Sequence, residues 1–282
     1  MKYMIMADSC CELFDEELKS DKFVFSTVPL TIRVGDEEIV DTPDLDIDEL
    51  LAKMKKNKKA PSTACPSPED FAEKMRMADN VFCVTMSSKV SGTYNSARLA
   101  ADITMKENPD KKVFVLDSLT ASGGEALLVY ELKRLIEQSD LSFEQIVERI
   151  TAVRNKTSIR FVLQDLGNLI KTGRMSKIAG LIAATLLIKP VLGDSDEGEI
   201  KSYAKCLGTK KAMAFLVDFP AQKVAEMGVD MPIVISHCKN LEGAESLKKE
   251  LEAKYNLTNV EVRPMRGLAS FYANDKGMFI AI

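Results

Sequence analysis

Hydroxyl-bearing side chains crowd the segment Ser87–Ala97, which reads SSKVSGTYNSA and follows the apolar run Val81–Met86. An amphipathic run comes next, so the pattern predicts a strand, a polar loop and a helix. Open α/β sheets bind ligands at the carboxyl ends of their strands. The N-terminus of a helix attracts anions, and Gly92 lets a ligand approach the backbone closely. The segment therefore predicts a site for a small anionic group, although an ordinary capped turn has the same composition.

Catalysis and nucleotide binding have weaker support. The chain has no G-x-S-x-G motif, and a Ser–His pair would have to use His237, the single histidine, which has no obvious acid beside it. A Ser–Lys pair could form through Lys89, but that side chain is expected to be solvated in the loop. Neither a G-x-x-x-x-G-K-[ST] motif nor a G-x-G-x-x-G motif occurs. Phosphate binding at Ser91 and Gly92 stays open.

Composition is that of an ordinary globular protein. The 282 residues exceed one typical domain, 46% of them are apolar, and the net charge is −4 without a basic block, so nucleic-acid binding is not expected. Six cysteines lack a C-x-x-C pair, so we expect no metal and no cofactor. The apolar N-terminus ends at Asp8, too early for a signal peptide, and the longest greasy stretch, 178–192, is too short to span a bilayer. A cytoplasmic protein with at most transient membrane contact is expected.

Three short apolar runs, Tyr3–Ala7, Val81–Met86 and Lys112–Leu116, each end in a polar pair that contains serine. Helical patterns separate these runs, which predicts a parallel sheet whose three polar tips lie on one edge. A β-hairpin is predicted around Gly35-Asp36, between two runs rich in β-branched and aromatic residues, Phe23–Val34 and Glu37–Val40. The fold class is therefore α/β.

The sequence pattern changes near residue 157, which predicts two α/β domains, 1–157 and 158–282. The first carries the parallel sheet and the small hairpin insertion, and the second carries a buried apolar helix over Lys177–Leu186. Small and branched residues alternate there, which leaves room for a slender ligand, although plain core has the same pattern. A further helix over Thr209–Glu226 should break or kink near Pro220.

Several motifs, in this order, resemble those of the DegV family, which includes the fatty-acid-binding subunits of bacterial fatty acid kinase. The matching residues are Asp8-Ser9 with Leu13, Thr63–Ser67, Ser87–Ala97, Asp117-Ser118 with Ser122, Gly173–Met175 and Ile188–Pro190. The resemblance runs over essentially the whole chain. It implies a two-domain α/β fold that holds one long-chain fatty acid, with the tail near residues 178–187. It also implies that Thr63 and Ser91 bind the carboxylate, and the Gly92 amide would add a third donor.

Further candidates come from the same resemblance. Ser118 and Asn274 are secondary candidates for a place beside the ligand. Arg174 matches the arginine with which family members engage a separate kinase subunit, although an exposed arginine beside a glycine is equally typical of a solvated loop.

The chain also departs from the family pattern. Ala64 and Cys65 replace Ser and Gln, and Gly208 stands where Arg is frequent. Ala273 replaces the histidine of a C-terminal H-T-G-P-G motif, where Asn274 or Lys276 could supply a donor instead. The last two departures weaken the expectation of a kinase partner more than that of lipid binding.

We therefore expect non-catalytic binding of a long-chain fatty acid, with presentation to a separate fatty acid kinase as an extension. The alternative is a serine-dependent hydrolase or a phosphoryl-handling enzyme that uses the same loop, which would need a base near Ser91. A regulatory module is a third and weaker alternative.

Overall fold

The computed structural model describes residues 3–57, 59–138, 140–175, 188–227 and 232–282. The strands are β1 (Tyr3–Asp8), β2 (Phe23–Val28), β3 (Thr31–Val34), β4 (Glu37–Val40), β5 (Ser62–Ala64), β6 (Asn80–Thr85), β7 (Lys112–Asp117), β8 (Ile159–Val162), β9 (Ile188–Asp194), β10 (Ile200–Leu207), β11 (Ile233–His237), β12 (Val260–Pro264) and β13 (Met278–Ala281). The helices are α1 (Ile47–Lys56), α2 (Pro68–Met75), α3 (Thr93–Glu107), α4 (Gly123–Gln138), α5 (Phe143–Arg154), α6 (Gly167–Lys171), α7 (Thr209–Met227), α8 (Leu241–Tyr255) and α9 (Gly267–Ala273).

The N-terminal sheet has four parallel strands in the order β2-β1-β6-β7. This arrangement confirms the predicted parallel sheet and the common edge for the tips of β1, β6 and β7. The strand β2 differs from the prediction, since it joins this sheet beside β1 rather than the hairpin. Its inward side chains Phe23 and Phe25 are buried in the core, which favours that position.

A small antiparallel sheet has the strand order β4-β3-β5. The predicted hairpin is confirmed by β3 and β4, which turn at Gly35 with φ +68°. The sequence predicts a loop over residues 60–66, whereas β5 forms there and pairs Thr63 with Ile32 of β3. Thr63 is thereby fixed on a strand and not carried by a free loop.

The C-terminal sheet is mixed, with the strand order β10-β9-β8-β13-β11-β12. The predicted β-α-β unit is confirmed, because β11 and β12 are parallel and α8 connects them. The apolar helix predicted over 177–186 lies outside the described residues. The helix α7 continues through Pro220, so the expected break does not occur, and the buried side chains of Leu216 and Phe219 hold it against the sheet.

The helix α4 packs between the two larger sheets. Val129 and Leu132 contribute to the N-terminal core, while Leu127 packs with Val234 in a second core. A Cβ on Gly123 would lie 2.9 Å from Val234 Cγ1, so a glycine permits this close approach. The strands of the two larger sheets lie on either side of residue 157, and the exact domain boundary stays a prediction. In the described ranges, no helix is long and apolar enough to cross a membrane.

Candidate functional site

Two aspartates at strand tips fix the loop between β6 and α3. Asp8 accepts hydrogen bonds from the backbone N–H groups of Met86 (2.8 Å) and Cys10 (3.0 Å). Asp117 accepts one from the Ser88 N–H at 3.0 Å. Burial raises the pKa of Asp8 to about 6, and the two N–H donors oppose that shift. The aspartates of the D-S motifs thus shape the loop and are not free to bind a ligand.

Thr63, Ser91 and Gly92, called the clamp residues below, come together from β5 and the loop. Thr63 and Ser91 are half-buried and line the same pocket. Cys65 Sγ lies 3.2 Å from the place that a Cβ on Gly92 would take, so the two segments touch. Ser91 Oγ is 2.7 Å from Thr93 Oγ1 and accepts the Thr93 N–H at 3.3 Å, and Gly92 is the N-cap residue of α3. The arrangement presents hydroxyl and amide donors to an anion.

The pocket behind Thr63 and Ser91, called the apolar pocket, lies between the C-terminal sheet and loops at the edge of the N-terminal sheet. Apolar side chains from the C-terminal sheet, from α6 and α9, and from the loops that follow β2 and β6 line it, among them Leu30, Met86, Phe161, Leu169, Leu268 and Phe279. One polar exception is the buried Asp194, which accepts the Ile159 N–H at 3.1 Å. Burial raises the pKa of Asp194 to about 6. Such a pocket fits an apolar ligand with one polar end.

A second, polar cavity, called the outer recess, adjoins the apolar pocket and shares Val90, Ser91 and Arg174 with it. Gly92 lines only the outer recess. Arg174 is half-buried and donates to the carbonyl oxygens of Val90 (3.3 Å) and Thr172 (2.8 Å). The arginine is therefore held at the junction of the two cavities and is not loose in solvent.

Three other residues considered from the sequence do not line either cavity. Ser118 is buried in its own turn, where its hydroxyl donates to the Thr120 carbonyl and accepts the Thr120 N–H, both at 3.2 Å. Asn274 follows α9 and donates to Asp165 at 3.3 Å. His237 ends β11, where its Nδ1 accepts the Asn240 N–H at 3.2 Å and burial lowers its pKa. A Ser91–His237 pair therefore has no geometric support.

Sequence reasoning missed Tyr272, the residue next to Ala273. Its hydroxyl lies 2.9 Å from Thr63 Oγ1, and its side chain lines the apolar pocket. The sequence offers one signal, an aromatic hydroxyl directly beside the position where a histidine is expected. Nothing local indicates that this side chain, 209 residues from Thr63, would reach it.

Buried acids lie below the apolar pocket. Asp8, Cys10 and Glu125 each bring one potential ligand atom within 4.8 Å of the others, a spacing that could hold a metal ion. The Asp8 oxygens already accept backbone N–H groups, and burial raises the pKa of Glu125 well above its usual range. Burial thus disfavours the charged carboxylate of Glu125 that a metal ion would need.

Comparisons with known proteins agree over the whole length. The family model described as an uncharacterised protein of the DegV family matches residues 2–281. A DegV domain-containing protein of Streptococcus pyogenes serotype M1 is 38% identical over 280 residues, which cover 99% of each chain. A DegV domain-containing protein of Streptococcus pneumoniae (strain R6) is 36% identical and covers 99% of this chain and 98% of its own.

Solved structures of similar proteins share the fold of this chain. A DegV family protein of Ruminococcus gnavus, refined with vaccenic acid, superposes with a TM-score of 0.92 at 32% identity, and covers 100% of this chain and 99% of its own. The Streptococcus pneumoniae fatty acid kinase B3 protein, loaded with linoleic acid, has a TM-score of 0.91 at 36% identity with the same coverage. A DegV family protein of Eubacterium eligens, loaded with heptadecanoic acid, has a TM-score of 0.89 at 31% identity, and covers 99% of this chain and 98% of its own.

Proposed function

Because this chain belongs to the DegV family, we propose that it binds one long-chain fatty acid without catalysing a reaction on it. The observation that carries the proposal is the position of Thr63 and Ser91, which both line the mainly apolar pocket. Similar proteins that hold vaccenic, linoleic and heptadecanoic acids support the choice of ligand.

The clamp residues are suited to a carboxylate. A carboxylate only accepts hydrogen bonds, and Thr63, Ser91 and the Gly92 N–H each bring a donor. Thr93 can donate to Ser91 Oγ over their 2.7 Å contact, which leaves the Ser91 proton for the ligand. The N-terminal end of α3 adds a partial positive charge beside Gly92. These groups hold the head group without a metal ion.

The acyl chain supplies most of the affinity. Burial of about fourteen methylenes at about 0.8 kcal/mol each gives roughly 11 kcal/mol before ordering costs. The apolar pocket is lined by the C-terminal sheet and by the loops that follow β2 and β6, so a bound acyl chain would contact both. The clamp residues therefore determine mainly which head group is accepted and contribute less to the affinity for the ligand.

A separate fatty acid kinase is the proposed partner. Arg174 lies at the junction of the apolar pocket and the outer recess, through which the carboxylate is reached. We expect Arg174→Ala to bind palmitate as the parent chain does, while transfer of phosphate from ATP to the bound acid by such a kinase is lost. Equal phosphate transfer with both chains would exclude Arg174 from the partner contact.

Native mass spectrometry of the purified chain tests the binding proposal. We expect an added mass equal to one long-chain fatty acid, which disappears on lipid extraction and returns with added palmitate. A chain that carries no lipid and binds no added palmitate would refute the proposal. Turnover of acyl esters that is lost in Ser91→Ala would support the hydrolase alternative instead.

A further inference from the structure

The helix α9 brings one hydroxyl from the C-terminal half of the chain to the clamp residues. Tyr272 is half-buried, lines the apolar pocket together with Thr63 and Ser91, and has its hydroxyl 2.9 Å from Thr63 Oγ1. We propose that Tyr272 is a positioning residue for carboxylate binding, which orients the Thr63 hydroxyl so that its proton points to the ligand. This inference rests on the proposed function, because it assigns a role within the same site.

The direction of the hydrogen bond follows from the donor count. The Thr63 hydroxyl has one proton, and a carboxylate accepts but cannot donate. When Thr63 donates to the carboxylate, its oxygen is left as the acceptor for the Tyr272 hydroxyl. A chain of this kind, from Tyr272 to Thr63 to the ligand, is polarised along its length, so each hydrogen bond strengthens the next.

Tyr272 is held firmly enough to orient another side chain. Its ring packs edge-on against Phe271 with ring centroids 4.8 Å apart, and Phe271 is fully buried. The start of α9 is fixed by Asp41, which accepts the N–H groups of Gly267 (2.8 Å) and Leu268 (3.0 Å). The tyrosine hydroxyl thus reaches Thr63 from a helix whose start is tied to the N-terminal half.

This role also bears on position 273, where alanine stands in place of the histidine expected from the family motif. The side chain of Ala273 is fully buried, and the single histidine, His237, does not line the described part of the pocket. Asn274, the substitute suggested by the sequence, points instead to Asp165. The hydroxyl of Tyr272 is the group from this segment that meets Thr63, so the segment brings a neutral hydroxyl to the clamp.

Binding of palmitate and of hexadecanol to the delipidated full-length chain tests the assignment. We expect Tyr272→Phe to weaken palmitate binding roughly tenfold and to change hexadecanol binding less than about twofold, since the alcohol lacks the carboxylate that the oriented proton serves. Phenylalanine keeps the ring and its contact with Phe271. Tyr255→Phe is the matched control, because it removes a phenolic hydroxyl that bonds to Asp218, and it should leave both affinities unchanged.

A double-mutant cycle separates positioning from packing. In a Thr63→Val background, Tyr272→Phe should weaken palmitate binding less than about twofold, because the hydroxyl to be oriented is gone. In a Thr63→Ser background, the roughly tenfold effect should return. The assignment would be overturned if Tyr272→Phe lowered the affinities for palmitate and hexadecanol equally. It would also be overturned if the effects of Tyr272→Phe and Thr63→Val on palmitate affinity were fully additive. A parent chain that binds no palmitate would instead refute the proposed function itself.

Discussion

Two polar regions join the halves of this molecule, and they use their hydrogen-bonding groups in opposite ways. The clamp residues together with Tyr272 are half-buried or exposed, neutral, and have donors left for a ligand. The second region, called the buried acid seam, consists of Asp8, Glu12, Asp41 and Arg266. Its groups are enclosed, ionisable, and largely committed to partners within the chain.

The partners of the buried acid seam are mostly backbone groups. Glu12 accepts the Arg266 N–H (2.6 Å) and the Ser122 hydroxyl (2.7 Å), and Asp41 accepts two N–H groups of α9. The Arg266 guanidinium donates to the carbonyls of Leu13 (2.6 Å) and Asp41 (3.0 Å). Groups that are hydrogen-bonded within the chain hold its two halves together, whereas donors without a partner can bind a ligand. The comparison therefore predicts changes in stability for the seam and changes in affinity for the clamp.

Loss of Arg266 should have the largest effect. Its removal leaves the buried carbonyl oxygens of Leu13 and Asp41 without their donor, which costs about 1–3 kcal/mol of unfolding free energy for each. Arg266→Met, with its unfolding followed in urea, should show a loss of that order. Arg76→Met is the matched control, because Arg76 pairs with Glu69 and Glu107 at the surface and should cost about 1 kcal/mol or less. Similar losses in both variants would mean that the seam does not depend on its cation.

The pH dependence of stability should be the next largest effect. Burial raises the pKa of Glu12 to about 8, above its ordinary value of 4.5, so the folded chain holds a proton that the unfolded chain releases. The stabilisation from this proton is complete below the unfolded pKa and is lost as the pH rises through about 8. We expect the free energy of unfolding to fall between pH 6 and pH 7 with a slope that includes about 1.4 kcal/mol per unit from Glu12.

Glu12→Gln isolates that contribution. The amide can accept the Arg266 N–H and donate to Ser122 Oγ, so both hydrogen bonds remain possible. The slope should become shallower by about 1.4 kcal/mol per pH unit. Asp8, Asp41 and Glu125, whose pKa values are also raised by burial, contribute to the slope that remains. An unchanged slope in Glu12→Gln would assign the titration to those neighbours.

The two regions also differ in how far the sequence predicts them. Asp8 and Asp117 end the parallel strands β1 and β7, Ser88 follows β6 between them, and the pattern of alternating strands and helices suffices to bring these tips to one edge. Thr63 and Ser91 were reached through the family motifs, but β5, which carries Thr63, depends on pairing with Ile32 far along the chain. Local residue pattern contains no information on that register.

Long-range contacts explain what the sequence did not predict. Tyr272 meets Thr63 across 209 residues, and Glu12 meets Arg266 across 254. Both contacts require the C-terminal sheet to be in place before they form. Residues 178–187, which we expect to contact the acyl chain, lie outside the described residues, so their role remains a prediction.

Ser91→Ala should lower affinity and leave stability unchanged. The variant removes a donor from the clamp, which should weaken palmitate binding roughly tenfold, or about 1.4 kcal/mol, while the unfolding free energy of the lipid-free chain stays within about 0.5 kcal/mol. Ser118→Ala is the matched control, because its hydroxyl is committed to Thr120 and should affect stability only. If palmitate affinity falls equally in Ser91→Ala and Ser118→Ala, both serines belong to one site. Hydroxyls with and without a partner in the chain would then not differ in their role.

The smallest effect should come from the Gly92 amide, and two substitutions separate that amide from the space around it. No acceptor among the described residues takes the Gly92 N–H, and its φ of −76° suits proline. Gly92→Pro should therefore weaken palmitate binding about threefold, by removal of one donor at the N-terminal end of a helix. Gly92→Ala keeps the N–H and needs Cys65 Sγ, 3.2 Å from the new Cβ, to move by only a few tenths of an ångström. Titration of both variants with palmitate should show a loss of affinity for Gly92→Pro alone. A loss of affinity for Gly92→Ala as well would assign the effect to steric contact with Cys65.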